Sequence, residues 1–145
     1  MRPDLLAFAA ACAFFGAAIY VNLVEQPARL VLDIRASVRE WMSSNRRGFI
    51  LMAILALVSA LSGYANFLGT GDVRWLIGAT IILASLPYAF FVITPVNVLL
   101  YAGRQDSSVS AIRSLIRDWG VLEWGQTAIG LAACCSFGWA LMPPA

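Results

Sequence analysis

Four stretches of this chain, residues 5–24, 48–71, 75–103 and 124–145, contain no charged residue, and the shortest is twenty residues long. A helix rises about 1.5 Å per residue, so about twenty apolar residues cross a hydrocarbon core of about 30 Å. Helices of a soluble domain this small are shorter than that. With 61% of residues hydrophobic and only 12% charged, the chain also lacks the polar surface that water demands. The pattern predicts one all-α membrane domain over residues 1–145, an integral membrane four-helix bundle with spans of about 5–24, 48–69, 75–101 and 121–142. The first run continues into Val24-Glu25-Gln26-Pro27-Ala28-Arg29 with no small-residue cleavage site, and is read as a retained span.

The connections carry the charge. Arg29, Arg35, Arg39, Arg46 and Arg47 lie between spans one and two, and Arg104, Arg113 and Arg117 between spans three and four. Only Arg2 and Arg74 lie on the other side. Short cytoplasmic loops collect basic residues, so both long connections are expected in the cytoplasm, both termini outside it, and the protein in a bacterial inner membrane.

At 100° per residue, Leu30, Ile34, Val38, Trp41 and Met42 share one side of a helix, opposite Asp33, Arg35, Arg39 and Glu40. Val109, Ile112, Leu115, Ile116 and Trp119 form a second stripe after Asp106-Ser107-Ser108, a stretch suited to capping. Two cytoplasmic interfacial amphipathic helices are therefore expected, at about 29–45 and 107–119, with their arginines toward anionic lipid headgroups. Asn22 and Arg29 recur as Asn97 and Arg104, an offset of 75 residues that hints at an internal repeat.

Polar groups inside a bilayer are costly, and here they gather at one depth. Span one ends in Asn22, Glu25, Gln26 and Arg29, span three in Thr94, Asn97 and Tyr101, and span four begins near Asp118, Trp119 and Glu123. Pro27, Pro87 and Pro95 lie beside or within these spans, and each removes one backbone hydrogen bond. Kinks beside clustered polar side chains are where bundles open cavities. Glu25 and Arg29, at i and i+4, can also serve simply as a surface pair. Glu123 lies between aromatic residues on the face of Gln126, Thr127, Gly130 and Cys134 and is suited to general acid–base work, or else points back to water. Ser59, Ser62, Gly63 and Asn66 read as helix-packing contacts, and Cys12, Cys134 and Cys135 as small apolar packing.

The chain has no His, which excludes His-ligated zinc, His-bound haem and Ser-His triads. No metal site is expected. A net charge of +2 excludes an extended nucleic-acid surface.

Three motifs carry a family resemblance. Tyr20-Val-Asn-Leu-Val-Glu-Gln-Pro-Ala-Arg29, Thr94-Pro-Val-Asn-Val-Leu-Leu100 and Trp119-Gly-Val-Leu-Glu123 resemble the anthrone-oxygenase-like family of small four-span membrane proteins. The resemblance covers most of the chain in layout and about twenty residues in motif. It implies a compact membrane bundle and oxygenation of anthrones to anthraquinones with no metal or flavin cofactor, although many bacterial members have no assigned activity. The chain departs from the pattern where the family often carries His: Gln26 stands at one such place, and Glu123 and Gln126 stand for a His and a following Arg.

Two functions are expected on these grounds. In the first, a lipophilic phenolic or quinone-like substrate enters from the bilayer. Glu123, Glu25 and Arg29 act on it, and Asn22, Gln26, Asn97, Tyr20, Trp119 and Trp124 bind it. In the second, the protein is non-catalytic, binding lipid or a hydrophobic small molecule or serving as an accessory subunit. Expected partners are membrane lipids, a hydrophobic aromatic small molecule and further copies of the chain as a homo-oligomer; no nucleic acid is expected. No cofactor is expected in either case.

Overall fold

A computed structural model describes residues 2–103 and 108–143. Arg104, Asp106 and Ser107 of the expected capping and repeat patterns lie outside the described residues. The chain forms four long helices, and no strand occurs among the described residues. They are α1 (Pro3–Leu30), α2 (Ile34–Thr70), α3 (Val73–Ala102) and α4 (Val109–Leu141). The first three are long and apolar enough to cross a bilayer, and the chain is a membrane protein. Helix α4 has the length, 33 residues, but its inward face carries Gln126, Thr127 and Ser136 and it is less apolar.

Local chemistry sets the helix ends. Asp33 caps α2 by accepting from the Arg35 and Ala36 amides at 3.0 Å, Asp72 accepts from the Arg74 amide, and Ser108 from that of Ala111. Helix α2 stops at Gly71, whose φ of 72° lets its amide return to the Phe67 carbonyl. Arg74 donates to the Trp139 and Met142 carbonyls at 3.1 Å, tying the start of α3 to the end of α4.

The two amphipathic stripes are present, but neither is a separate interfacial helix. Each is the first part of a continuous helix, residues 34–45 of α2 and 109–119 of α4. The expected start at Arg29 is also displaced, because Arg29 and Leu30 finish α1. No proline stands at the junction of stripe and span, and Gly48 and Gly120 there are carried within the helix, so both helices run on. At 37 residues α2 is about 55 Å long, so roughly 25 Å of it exceeds a 30 Å hydrocarbon core.

The bundle has two cores. Toward the termini, Ala7, Ala11 and Phe14 of α1 meet Ala56 and Ala60 of α2, Ala79 and Ile82 of α3, and Ala133 and Phe137 of α4. Toward the arginine-rich end, Val38 and Trp41 of α2 meet Ile93 and Leu100 of α3 and Ile112, Ile116 and Trp119 of α4. Helix α1 packs between α2 and α4, and α3 packs against the same two.

Candidate functional site

Helices α1 and α3 each contain one π-helical turn, Val21–Glu25 and Ala89–Ile93. Each ends directly before an X-Pro pair, Gln26-Pro27 and Thr94-Pro95. Proline has no amide hydrogen for the carbonyl four residues back, and the helix widens to accommodate the break. Val21 and Ala89 are 68 residues apart, as are Pro27 and Pro95. The internal correspondence therefore has an offset of 68 rather than 75, and it aligns Arg29 with Asn97.

Beside these two turns lies a cleft of about 870 Å³ with walls from all four helices. Its polar lining includes Glu25, Glu40, Ser85, Asn97, Glu123 and Gln126, and Tyr20 and Trp119 supply aromatic wall. Ser85, Glu123 and Gln126 are each more than nine-tenths buried.

Behind the α1 wall lies a hydrogen-bonded network around Arg29, whose side chain is fully buried. Its Nε donates to Glu40 Oε2, NH1 to Gln26 Oε1 at 2.8 Å, and NH2 to Ser44 Oγ at 3.0 Å and Glu40 Oε1 at 3.2 Å. A longer contact of 3.4 Å reaches Glu25 Oε2. The guanidinium lies 5.0 Å from the centre of the Trp119 ring. Gln26 passes the network on by donating to the Ile116 carbonyl at 2.8 Å, and Asn22 donates to Thr127 Oγ1 at 2.7 Å. Gly120 makes room for this: a Cβ there would run into the Gln26 amide.

The sequence-predicted residues thus divide. Glu25, Glu123, Asn97, Tyr20 and Trp119 line the cleft, while Asn22, Gln26 and Arg29 stand behind its wall with their donors engaged. Trp124 does neither: it is 47% exposed and faces away. Neighbouring residues on a helix point about 100° apart, so Trp124 cannot share the inward direction of Glu123. Sequence reasoning missed Glu40 and Ser44 because they lie on what reads as the solvent face of the first stripe. It also missed Ser85, whose carbonyl accepts from Gln126 Nε2 at 3.2 Å. Gln126 falls three residues after Glu123, a spacing that puts both on one face.

Several polar atoms around the cleft have no partner. Ser85 Oγ, Asn97 Oδ1, Trp119 Nε1 and Gln126 Oε1 are buried and make no hydrogen bond, and all four belong to cleft-lining residues. Glu123 makes no hydrogen bond among the described residues. Buried polar groups are ordinarily paired, and together these wall groups offer one donor in Trp119, acceptors in Asn97 and Gln126, and a hydroxyl in Ser85 that can do either. Among the described residues no three His, Cys, Asp or Glu are grouped to hold a metal ion.

Residues 41–136 match the family model described as anthrone oxygenase. The matched stretch contains the Thr94–Leu100 and Trp119–Glu123 motifs and begins after the Tyr20–Arg29 motif. No curated protein and no solved structure matches the chain.

Proposed function

This chain belongs to the anthrone oxygenase family, and on that premise we propose that the central cleft oxygenates a lipophilic phenolic ketone drawn from the bilayer, without a cofactor. In this reaction an activated ring CH₂ becomes a carbonyl. Glu123 takes the first C–H proton, leaving an enolate. The enolate reduces dioxygen and joins it, giving a hydroperoxide once a proton returns. Loss of the second C–H proton with cleavage of the O–O bond forms the carbonyl, and the other oxygen leaves as water. Trp119 Nε1–H and the Ser85 hydroxyl are the donors nearest to hand for the enolate oxygen, and Asn97 and Gln126 accept from phenolic hydroxyls. Tyr20 and Trp119 offer planar contact. Arg29 acts at one remove, holding Glu25 and Glu40 in place. The eight arginines that the sequence holds in the two long connections direct those connections toward the cytoplasm and toward anionic lipid.

The observation that carries this reading is the coincidence of four orphaned polar groups and Glu123 around one cleft. Oxygen uptake by the purified protein in lipid nanodiscs, supplied with an anthrone, tests it. One dioxygen consumed per anthraquinone formed, above the uncatalysed rate and lost in Glu123→Gln, is the expected outcome; no excess over protein-free nanodiscs would sink the proposal. The saturated hydrogen bonding of Arg29 favours a second reading, in which the cleft holds a hydrophobic ligand without converting it. Tight one-to-one binding without oxygen uptake would select that reading.

A further inference from the structure

Trp119 forms part of the cleft wall, and its ring is the first of a series of aromatic contacts that leads out of the site. The Trp41 ring stands edge-on to it, with centroids 6.2 Å apart, and the Tyr101 ring lies 5.0 Å beyond Trp41. Burial changes along the series: Trp119 is 3% exposed, Trp41 is fully buried, and Tyr101 is 44% exposed near the arginine-rich end. Neither indole N–H has a hydrogen-bond partner. The Trp119 N–H belongs to the cleft wall, but Trp41 does not line the cleft, and polar satisfaction does not account for a tryptophan there, where a smaller apolar residue would fill the core without an orphaned donor.

We propose that Trp119, Trp41 and Tyr101 form an electron relay that carries oxidising equivalents from the cleft to the protein surface. The inference rests on the oxygenation reading for the source of the oxidant. An enolate that hands a single electron to dioxygen becomes a carbon radical beside superoxide; where superoxide escapes before the two join, the carbon radical adds a second dioxygen, and the resulting substrate peroxyl radical would otherwise damage the cleft. The relay reduces it in one balanced step. One electron leaves Tyr101 and travels through Trp41 and Trp119, and the Tyr101 O–H bond breaks, its proton going to water at the exposed end. The peroxyl radical takes the electron and a proton from the Glu123 carboxyl, closing an O–H bond to give the hydroperoxide. The neutral tyrosyl radical at Tyr101 is then within reach of a hydroquinone of the bilayer, which returns the hydrogen atom. The Arg29 guanidinium, 5.0 Å from the Trp119 ring, disfavours lasting positive charge on that ring; among the described residues no cation lies over the Trp41 ring, so the hole moves outward.

The test does not depend on turnover. The protein in nanodiscs is loaded with a bilayer-soluble anthraquinone, whose photoexcited state removes one electron from a nearby aromatic ring, and is frozen after illumination for electron paramagnetic resonance. Wild type is expected to give a neutral tyrosyl signal. Tyr101→Phe, which removes only an exposed hydroxyl, is expected to lose that signal and retain a tryptophan radical, and Trp41→Phe to do the same. Tyr64→Phe, beside the core toward the termini and away from the cleft, is expected to match wild type. A tyrosyl signal undiminished in Tyr101→Phe, or one lost in Tyr64→Phe instead, overturns the relay, as does the absence of any aromatic radical in wild type. Normal radical transfer without anthrone turnover would leave the relay standing and remove the oxygenation reading; the opposite pair of results would do the reverse.

Discussion

The two halves of this bundle use the same four helices and opposite principles. Toward the termini the helices meet through alanine and glycine: a Cβ on Gly78 would lie 2.6 Å from the Phe137 ring, and one on Gly130 would lie 3.0 Å from the Phe15 Cα. The Ser59 hydroxyl donates to the Ala7 carbonyl at 2.8 Å. Close backbone approach of this kind is how helices associate where lipid is as apolar as the side chains. Toward the arginine-rich end the inward face of α1 is Asn22, Gln26 and Arg29, two π-helical turns interrupt regular packing, and the space between helices is a cleft. The first half supplies rigidity so that the second can keep orphaned polar groups and a buried carboxyl. The site lies where one kind of packing gives way to the other.

The contrast yields predictions of graded size. The largest effect belongs to the cleft: Glu123→Gln is expected to lower anthrone-dependent oxygen uptake by roughly 10²–10⁴-fold while leaving the melting temperature within a few degrees. A parallel loss of stability would make Glu123 a structural residue.

Next comes the network. Arg29→Met leaves Glu25 and Glu40 without their cation, and because both carboxylates are partly exposed the cost should fall near the lower end of about 3–5 kcal/mol. Detergent-mediated unfolding would measure it. Adding Glu40→Gln should restore part of the loss, and no restoration would contradict the pairing.

The small-residue half should break differently. Gly78→Ala forces a methyl into the Phe137 ring and is expected to cost about 1–3 kcal/mol without touching ligand binding. Gly16→Ala, with nothing within 4 Å, should be neutral to slightly stabilising. If both behave alike in the same unfolding assay, close packing is not what holds that half.

The smallest effect lies at the loop. Hydrogen bonding from Arg74 holds the Asp72 carboxyl below the usual carboxylate range. The folded state thus prefers the ionised form. That contribution is fully present above the unfolded carboxylate pKa of about 3.9 and disappears as pH falls through the lower folded value. Melting profiles of wild type and Asp72→Asn should keep a constant gap from pH 7 to 5 and converge below it. A gap that widens in acid would reverse the sign.

Much of this was legible in the chain because bilayers impose length and polarity rules that a single sequence displays. Uncharged runs located the helices, and the depth at which Glu25, Asn97, Trp119 and Glu123 gather marked the cleft that they line. Other features depend on three-dimensional partners. Whether the stripes at Ile34–Met42 and Val109–Trp119 lie on a membrane or continue as helices is decided by each packing on the other, which periodicity cannot report. Glu40 read as a solvent-facing charge because its cation, Arg29, belongs to another helix. The π-helical turns shift side-chain directions after Val21 and Ala89, so faces drawn at 100° per residue drift there. Trp124 is the simplest case: one residue after Glu123, it points about 100° away and is half-exposed, so its aromatic character does not bring it to the cleft.

The central claim is that the cleft, not the arginine network behind it, receives the ligand. Titrating wild type and Ala53→Trp in nanodiscs with anthraquinone, read by quenching of tryptophan emission and checked by native mass spectrometry, addresses it directly. Ala53 lines the cleft on α2, and a tryptophan there would occupy the space. One-to-one binding in wild type that is lost in Ala53→Trp, at an unchanged melting temperature, is the predicted result. Equal affinity in both proteins would contradict the account.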